Sequence, residues 1–253
     1  MEKTQIRLNK FLAERLGLSR READEIISAG RVKVDNRTAT LGAKIDNNSK
    51  VCYNNKIVPF KTEYTYIAFH KPIGYVCSRH AQGKAPTIYD LLPKQYHSLK
   101  TVGRLDKDSS GLILLTNDGD FAYQMTHPKF RKSKVYEVEL SKPLQPLHQQ
   151  MISDFGVMLS DGPSKFTIIP STGDEPQTSH QASSRSSTST SNSQSPMPAD
   201  RTRFTVVLTE GRNRQIRRTF AALGYQVTRL HRTKFGKYEL NLLASGKCDI
   251  IKI

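Results

Sequence analysis

A Ser/Thr-rich stretch at residues 171–200 limits most strongly what this 253-residue chain can fold into. Fourteen of its residues are Ser or Thr, and none is Val, Ile, Leu or an aromatic residue. It cannot bury enough apolar surface to offset the entropy cost of ordering it, so we predict disorder. The flanking runs Phe166 to Ile169 and Phe204 to Leu208 have strand character. They favour an extended hairpin loop over the alternative, a linker between independent domains.

The first sixty residues predict a small unit of two helices and a hairpin. Apolar residues from Leu8 to Leu16 follow helical spacing, and Gly17 is suited to end that helix. Ser19-Arg-Arg-Glu22 is a capping box that opens a second helix. Val32 to Val34 then alternates with polar residues, which predicts a short strand and a turn. This arrangement places four basic residues close together: Arg20, Arg21, Arg31 and Lys33.

The pattern changes to strands separated by turns from about residue 63 onward. Tyr66 to Phe69, Leu112 to Leu115 and Val135 to Leu140 are the clearest strands. One helix is predicted after Gly119, and another from Gln215 to Leu223, where apolar residues share a face. We therefore predict a mixed α+β domain at 63–253 after a small domain at 1–62.

The charge balance points to a polyanionic partner. Lys and Arg outnumber Asp and Glu by 39 to 23, which gives a net charge of +16 and a pI near 9.8. Nucleic acid is the first candidate and an anionic membrane surface the second. The chain starts without an apolar leader and has no long apolar run, so neither a signal peptide nor a membrane span is predicted. RNA or DNA is therefore the expected partner.

Half of this net charge lies in residues 201–240, where ten Lys or Arg residues stand against Glu210 and Glu239. The densest part, Arg212 to Arg218, coincides with a predicted helix start. A helix N-terminus and guanidinium groups both favour phosphate, so we predict RNA contact there. A solvated basic face is the alternative.

No cofactor or metal site is predicted. Asp106 to Gly111 resembles the start of an EF-hand calcium loop, but Asn117 stands where the bidentate acidic ligand is needed. The histidines lack zinc-ligand spacing, and neither GxGxxG nor the P-loop pattern occurs. Three separated cysteines without a CxxC pair indicate a reduced, cytoplasmic protein: Cys52, Cys77 and Cys248.

Four segments, in order along the chain, resemble the motifs of RsuA/RluB-type ribosomal RNA pseudouridine synthases. They are His70 to Gly74, Val102 to Gly119, Lys134 to Tyr136 and Glu210 to Arg217. The first sixty residues resemble the S4 RNA-binding domain of such enzymes. The resemblance implies a small S4-like α/β domain followed by a catalytic domain with a mixed, mainly antiparallel sheet. The insert at 171–200 is not part of the family pattern.

The resemblance also implies the roles of three residues. Asp106 would be the nucleophile, Arg217 its ion-pair partner and Tyr136 the ring that stacks on the target base. Arg104 lies two residues before Asp106, on the same side of an extended segment, and could fill the space left by the flipped uridine. Without the resemblance, Asp106 could equally be a turn aspartate, Tyr136 an inward strand aromatic and Arg217 a surface arginine. We predict RNA contacts from Arg104 and from a wider set: Arg7, Arg20, Arg21, Arg31, Lys33, Lys71, Arg212, Asn213, Arg214 and Gln215.

The implied reaction breaks the N1–C1′ bond of a uridine, rotates the base and rejoins it through C5, without a cofactor. Asp106 could attack C1′, add to the base or abstract a sugar proton, and the sequence does not choose among these routes. The expected partner is ribosomal RNA or a ribosome-assembly intermediate, bound by a monomer. The segment Leu91-Leu-Pro93 slightly favours the large subunit. Two alternatives are a non-catalytic RNA-binding or ribosome-assembly protein and an S4-bearing RNA methyltransferase, although no glycine-rich methyl-donor loop is evident.

Overall fold

The computed structural model describes residues 5–60, 63–79, 83–170 and 201–253. The prediction of disorder at 171–200 lies outside the described residues. The N-terminal unit consists of β1 (Ile6–Arg7), α1 (Leu8–Arg15), α2 (Arg20–Ser28), β2 (Val32–Val34), β3 (Arg37–Thr38), β4 (Lys44–Ile45), β5 (Val51–Tyr53) and β6 (Lys56–Ile57).

Local capping explains why the two N-terminal helices begin and end where they do. The Ser19 hydroxyl accepts a hydrogen bond from the Glu22 amide, and the Glu22 carboxylate accepts one from the Ser19 amide. This is the predicted capping box, and it fixes the start of α2. Gly17, at φ +70°, reverses the chain just after α1. Asp35 and Asn36 both have positive φ angles and close the predicted turn between β2 and β3.

The N-terminal unit has its own apolar core. α1 and α2 pack together through Leu8, Phe11 and Ile27, which are all essentially buried. A four-stranded antiparallel sheet in the order β3-β2-β5-β6 contributes Val32 and Val51 to the same core. Two helices on a small sheet form the α/β unit that the sequence predicted.

The remainder of the chain is built on a larger sheet. The strands of this part of the chain are β7 (Tyr66–Lys71), β8 (Lys100–Val102), β9 (Ser110–Thr116), β10 (Lys134–Leu140), β11 (Val157–Leu159), β12 (Gly162–Ser164), β13 (Thr167–Pro170), β14 (Arg203–Leu208), β15 (Val227–Phe235), β16 (Tyr238–Glu239) and β17 (Cys248–Ile250). β11 and β12 form a separate two-stranded sheet, and the others form the larger sheet. Its α-helices are α3 (Gly119–Thr126), α4 (Pro146–Gln150) and α5 (Gln215–Ala222). Short 3-10 turns lie at Ile88–Asp90, Lys94–Tyr96 and Pro128–Phe130, and a π turn at Met151–Phe155 continues α4.

The large sheet has the central order β13-β14-β10-β15-β9-β7-β17. Only β9 and β15 pair in parallel among its described strands, so the mixed, mainly antiparallel sheet is confirmed. β13 and β14 pair antiparallel, with Ile168 opposite Val206. The two runs that flank 171–200 are therefore strand partners, as predicted.

Helices cover both faces of the large sheet. α5 packs on one face through Ile216 and Phe220, within the main apolar core. α3 packs on the other face, where Met125 is buried and Phe121 is partly buried. None of the helices in the described ranges combines the length and apolar character that a membrane crossing requires. The N-terminus of α5 and the loop before β9 meet at the parallel β9–β15 pair, and this junction forms the candidate site.

Candidate active site

A cleft of about 280 Å³ opens between the loop before β9, the inner ends of β10 and β15, and the start of α5. Six residues of the predicted site are among those that line it: Arg104, Asp106, Tyr136, Arg212, Asn213 and Arg214. Tyr136 is buried, whereas about a third of the Asp106 side chain is exposed at 34%. The fold thus brings together residues from three separated segments of the sequence.

Hydrogen bonds from the Lys71 side chain hold the loop that carries Asp106. This side chain is fully buried at 0% exposure, and its ammonium donates to the backbone carbonyls of Ser109 (2.6 Å) and Pro72 (2.9 Å). Burial lowers the pKa of Lys71 to about 8. The Gly74 amide also donates to the Lys107 carbonyl, at 2.8 Å. Burial of Lys71 contradicts the prediction that it contacts RNA; it supports the loop instead.

Arg214 lies between the two carboxylates of this loop. It donates two hydrogen bonds of 2.9 Å to Asp108, and one of its terminal nitrogens is 3.7 Å from Asp106 Oδ2. Its backbone at φ +47° is left-handed, directly before the first residue of α5. That conformation is uncommon for a residue with a side chain and marks a constrained position. The structure therefore places Arg214 as an ion-pair partner of Asp106, a role that the sequence analysis did not assign to it.

Arg217 has a different carboxylate partner from the one predicted. Its Nε is 3.3 Å from Asp108 Oδ2, and its terminal nitrogens donate to the carbonyls of Asp108 (2.8 Å) and Val227 (2.7 Å). The prediction that Arg217 pairs directly with Asp106 is thus wrong about the partner. The carboxylate that contacts the Arg217 guanidinium is that of Asp108, two positions after Asp106.

The pKa values of this cluster follow from its hydrogen bonds. The Arg214 guanidinium lowers the pKa of Asp108, and Arg217 lowers it further. The same contact with Asp108 raises the pKa of Arg214. Burial lowers the pKa of Arg217, and the charge of Asp108 opposes that effect. Asp108, Arg214 and Arg217 are therefore charged groups close to the partly exposed Asp106 carboxylate.

Two further predicted RNA contacts are directed into the protein. The Arg212 guanidinium donates to the Asp161 carboxylate at 3.1 Å and to the Pro163 carbonyl at 2.7 Å. Gln215 is buried and donates to Ser164 Oγ at 3.1 Å. Burial of Gln215 contradicts its predicted RNA contact, and Arg212 fastens the start of α5 to the β11–β12 turn. Asn213 is exposed between them, as an RNA contact requires.

Two cations of the cleft were missed by the sequence analysis. Arg232 on β15 and Lys134 on β10 both line the cleft, and Arg232 is only 2% exposed. Each lies two residues from an inward-facing neighbour on its strand, Leu230 and Tyr136. Because side chains two apart on a strand share a face, the alternation was the signal that could have found them.

The predicted contacts of the N-terminal unit all lie on its surface. The set is exposed throughout: Arg7, Arg20, Arg21, Arg31 and Lys33. This unit is joined to the rest of the chain by polar contacts, including Lys10 with Asp120 at 2.5 Å and Arg79 with the Gly17 carbonyl at 3.2 Å. Within the described ranges, no group of three or more His, Cys, Asp or Glu residues could hold a metal ion.

Comparison with known proteins gives two family matches. The model of the RNA pseudouridylate synthase family matches residues 65–222, and that of the S4 domain matches residues 6–51. The chain is 34% identical over 245 residues to ribosomal small subunit pseudouridine synthase A of Pasteurella multocida (strain Pm70), covering 96% of this chain and 94% of that protein. It is 34% identical over 241 residues to ribosomal large subunit pseudouridine synthase B of Salmonella typhi, covering 92% and 75%.

A solved structure described as a pseudouridylate synthase is also similar. It has a TM-score of 0.63 and 27% sequence identity, and the alignment covers 98% of this chain and 96% of the other. The likeness spans both the N-terminal unit and the large sheet, so the whole described architecture has a counterpart of known structure.

Proposed function

This chain belongs to the RNA pseudouridylate synthase family, and on that premise we propose that it isomerises a specific uridine of ribosomal RNA, with Asp106 as the nucleophile. As a member of the family it is an isomerase that acts on RNA. Ribosomal RNA is proposed as the substrate because the similar proteins from Pasteurella multocida and Salmonella typhi are named for it. We place the reaction in the cytoplasm, and assign residues 1–62 to RNA binding and 63–253 to catalysis.

One observation carries the assignment of the nucleophile: Asp106 lines the same cleft as Tyr136, with an Arg214 nitrogen 3.7 Å from its carboxylate. Cleavage of a glycosidic bond calls for an ionised carboxylate near C1′, and a nearby guanidinium favours that ionised form. Arg214, held by Asp108, supplies this charge. Arg217 contacts Asp108, so it positions the carboxylate that in turn holds Arg214.

The remaining site residues are assigned by their positions around the cleft. Tyr136, in the wall, would stack on the uracil ring after the uridine flips out of the RNA. Arg104 is exposed at the rim, two residues before Asp106, where it could fill the space that the uridine leaves. Both roles require an RNA substrate in which the target nucleotide can leave its stack.

RNA binding is assigned to exposed basic residues of the N-terminal unit and to one exposed amide side chain near the cleft. The basic residues are Arg7, Arg20, Arg21, Arg31 and Lys33, and the amide is that of Asn213. The net charge of +16 supports attraction to the phosphate backbone over a large surface. Lys71 and Gln215 are left out of this set because they are buried, and Arg212 because its terminal guanidinium nitrogens donate within the protein.

The names of the relatives divide between the two ribosomal subunits, so both RNAs enter the test. Unmodified small-subunit and large-subunit rRNA are incubated with the wild type, and pseudouridines are mapped by carbodiimide treatment and primer-extension stops. We expect a single new stop in one RNA, absent with Asp106→Ala and present with Asp161→Ala, a matched arginine-bound aspartate on the β11–β12 turn. No stop on either free RNA or on assembly intermediates would favour a non-catalytic RNA-binding protein instead.

A further inference from the structure

Arg232 is a buried cation whose guanidinium is only partly satisfied. Its Nε donates to the Leu112 carbonyl at 2.8 Å, and the side chain is 2% exposed. One terminal nitrogen is buried and has no hydrogen-bond partner within the described part of the chain. Burial of a charged group without full pairing is costly. We therefore expect a bound ligand to supply the missing hydrogen-bond acceptor of Arg232.

The position of Arg232 in the wall of the cleft makes its unsatisfied nitrogen a candidate donor to a ligand bound there. Arg232 lines the same cavity as Asp106 and lies near two aromatic rings, with its guanidinium carbon 6.0 Å from the Tyr136 centroid and 4.9 Å from that of Phe235. The ring of Tyr136 is also the proposed stacking surface for the base.

Lys134 adds a second positive charge beside Arg232. Burial, together with the charge of Arg232, lowers the pKa of Lys134 to about 8. Its ammonium donates to the backbone carbonyl of Glu210 at 3.2 Å, while the Glu210 carboxylate is bonded by Gln215 and Arg212. Arg232 and Lys134 therefore give the wall of the cleft positive charge, and Asp106 lines the same cleft.

The uracil base gains negative charge during the proposed reaction, and this charge could pair with Arg232. If the N1–C1′ bond breaks, its electron pair stays on the uracil and spreads onto the carbonyl oxygens. At the sugar, either C1′ gains a bond to Asp106, or Asp106 takes the C2′ proton and a C1′–C2′ double bond forms. If Asp106 instead adds to the base at C6, the displaced electron pair moves onto the O4 side as an enolate. All three routes place charge on a uracil carbonyl oxygen, and preorganised donors stabilise such an oxyanion.

Building on the proposed function, we propose that Arg232 is a catalytic residue that donates a hydrogen bond to a uracil carbonyl oxygen and stabilises the anionic base. The positive charge is fixed before the reaction starts, because the Leu112 carbonyl and the two rings hold the guanidinium in place. When C5 later forms the new bond to C1′, the uracil electron pair is used in that bond. The bond from Asp106 to C1′ or C6 breaks and its electron pair returns to the carboxylate, or, in the elimination route, C2′ takes its proton back. The C5 proton leaves, N1 regains a proton, and Arg232 is returned unchanged.

The first test compares Arg232→Met, Arg232→Lys and the matched control Arg229→Met in single-turnover reactions with saturating wild-type substrate RNA. Arg229 lies on the same strand but is exposed and pairs with Glu137 at 3.2 Å. We expect Arg232→Met to slow pseudouridine formation by about 100-fold or more, as loss of an oxyanion donor does elsewhere, with unchanged RNA affinity. Arg232→Lys should recover part of the rate, and Arg229→Met should match the wild type. A wild-type rate for Arg232→Met would overturn the proposal.

A second measurement needs only the wild type and so does not depend on how the variants fold. Barbiturate and uracil are compared as competitive ligands, because barbiturate is a planar pyrimidine anion and uracil is neutral. We expect barbiturate to bind about tenfold more tightly, the gain typical of a charge-assisted hydrogen bond. Equal affinity would overturn the Arg232 assignment. Failure of the wild type to form pseudouridine would instead overturn the proposed function, whichever ligand binds better.

Discussion

Arg214 binds Asp108 through two hydrogen bonds of 2.9 Å, one from each terminal nitrogen of its guanidinium. The same guanidinium lies 3.7 Å from the Asp106 carboxylate. Asp108 therefore sets where the positive charge beside the proposed nucleophile sits. Arg214 is partly exposed and lies beside the proposed nucleophile, so its loss should lower the reaction rate more than it lowers the stability of the fold.

Arg214→Gln should lower the rate of pseudouridine formation by about tenfold or more, because a charge-assisted interaction near Asp106 is lost. The control is Arg218→Gln, in the same helix, whose guanidinium is bound to Asp161 away from the reacting carboxylate. That variant should keep the wild-type rate. Single-turnover rates with saturating RNA measure both, and equal rates for the two variants would contradict the role of Arg214.

Asp108→Asn should change how stability depends on acid pH. The arginines lower the folded-state pKa of Asp108 below its ordinary value of 3.8, so its ionised form stabilises the fold above that value. This contribution is lost as the pH falls through the lowered pKa. The gap in thermal midpoint between wild type and variant should be widest near neutral pH and shrink below about pH 4. A gap that stays constant with pH would mean that the carboxylate charge is not involved.

Lys71→Met should destabilise the protein, because the carbonyls of Ser109 and Pro72 lose a buried charged donor. We expect the free energy of unfolding in urea to fall by about 2 kcal/mol or more. Lys165→Met is the control, since Lys165 is exposed and donates to the Asp154 carbonyl at 2.8 Å. Its effect should be near zero, and a similar loss in both variants would argue against the buried clamp.

Gly111→Ala should disrupt the parallel pairing of β9 and β15. Gly111 has φ +109°, and a Cβ there would lie 2.2 Å from the Arg232 carbonyl oxygen, closer than any real contact. Backbone atoms cannot move aside cheaply, so we expect a loss of about 3 kcal/mol or more, or no folded protein. Gly42→Ala is the control, with φ +79° and open space around it. Its cost should be about 1 to 2 kcal/mol, from backbone strain alone.

Features set by short-range interactions were predictable from the sequence. The Ser19 to Glu22 capping box starts α2, because both of its hydrogen bonds join residues three apart in the chain. The alternation at Val135 to Leu140 predicted β10, and the strand runs Lys134–Leu140. Local rules were sufficient at these positions, since the partners of each group are neighbours in sequence.

Features that depend on distant partners were predicted less well. The choice of Arg217 between Asp106 and Asp108 depends on how α5 meets the loop before β9, which no local pattern encodes. Lys71 reads as a surface lysine, yet the loop covers it completely. Arg232 could have been predicted from the sequence. It lies two residues after Leu230, so both side chains face inward, and an arginine is unusual at such a position.

Release of tritium from rRNA labelled at C5 of uridine measures the proposed reaction directly, because C5 loses its hydrogen when it bonds to C1′. Wild-type protein, Asp106→Asn and the control Asp161→Asn would be compared on the rRNA that carries the mapped site. We predict one equivalent of tritium released per RNA with the wild type and with Asp161→Asn, and none above background with Asp106→Asn. Undiminished release with Asp106→Asn would contradict the account, because the Asp106 carboxylate would then not be needed for the reaction.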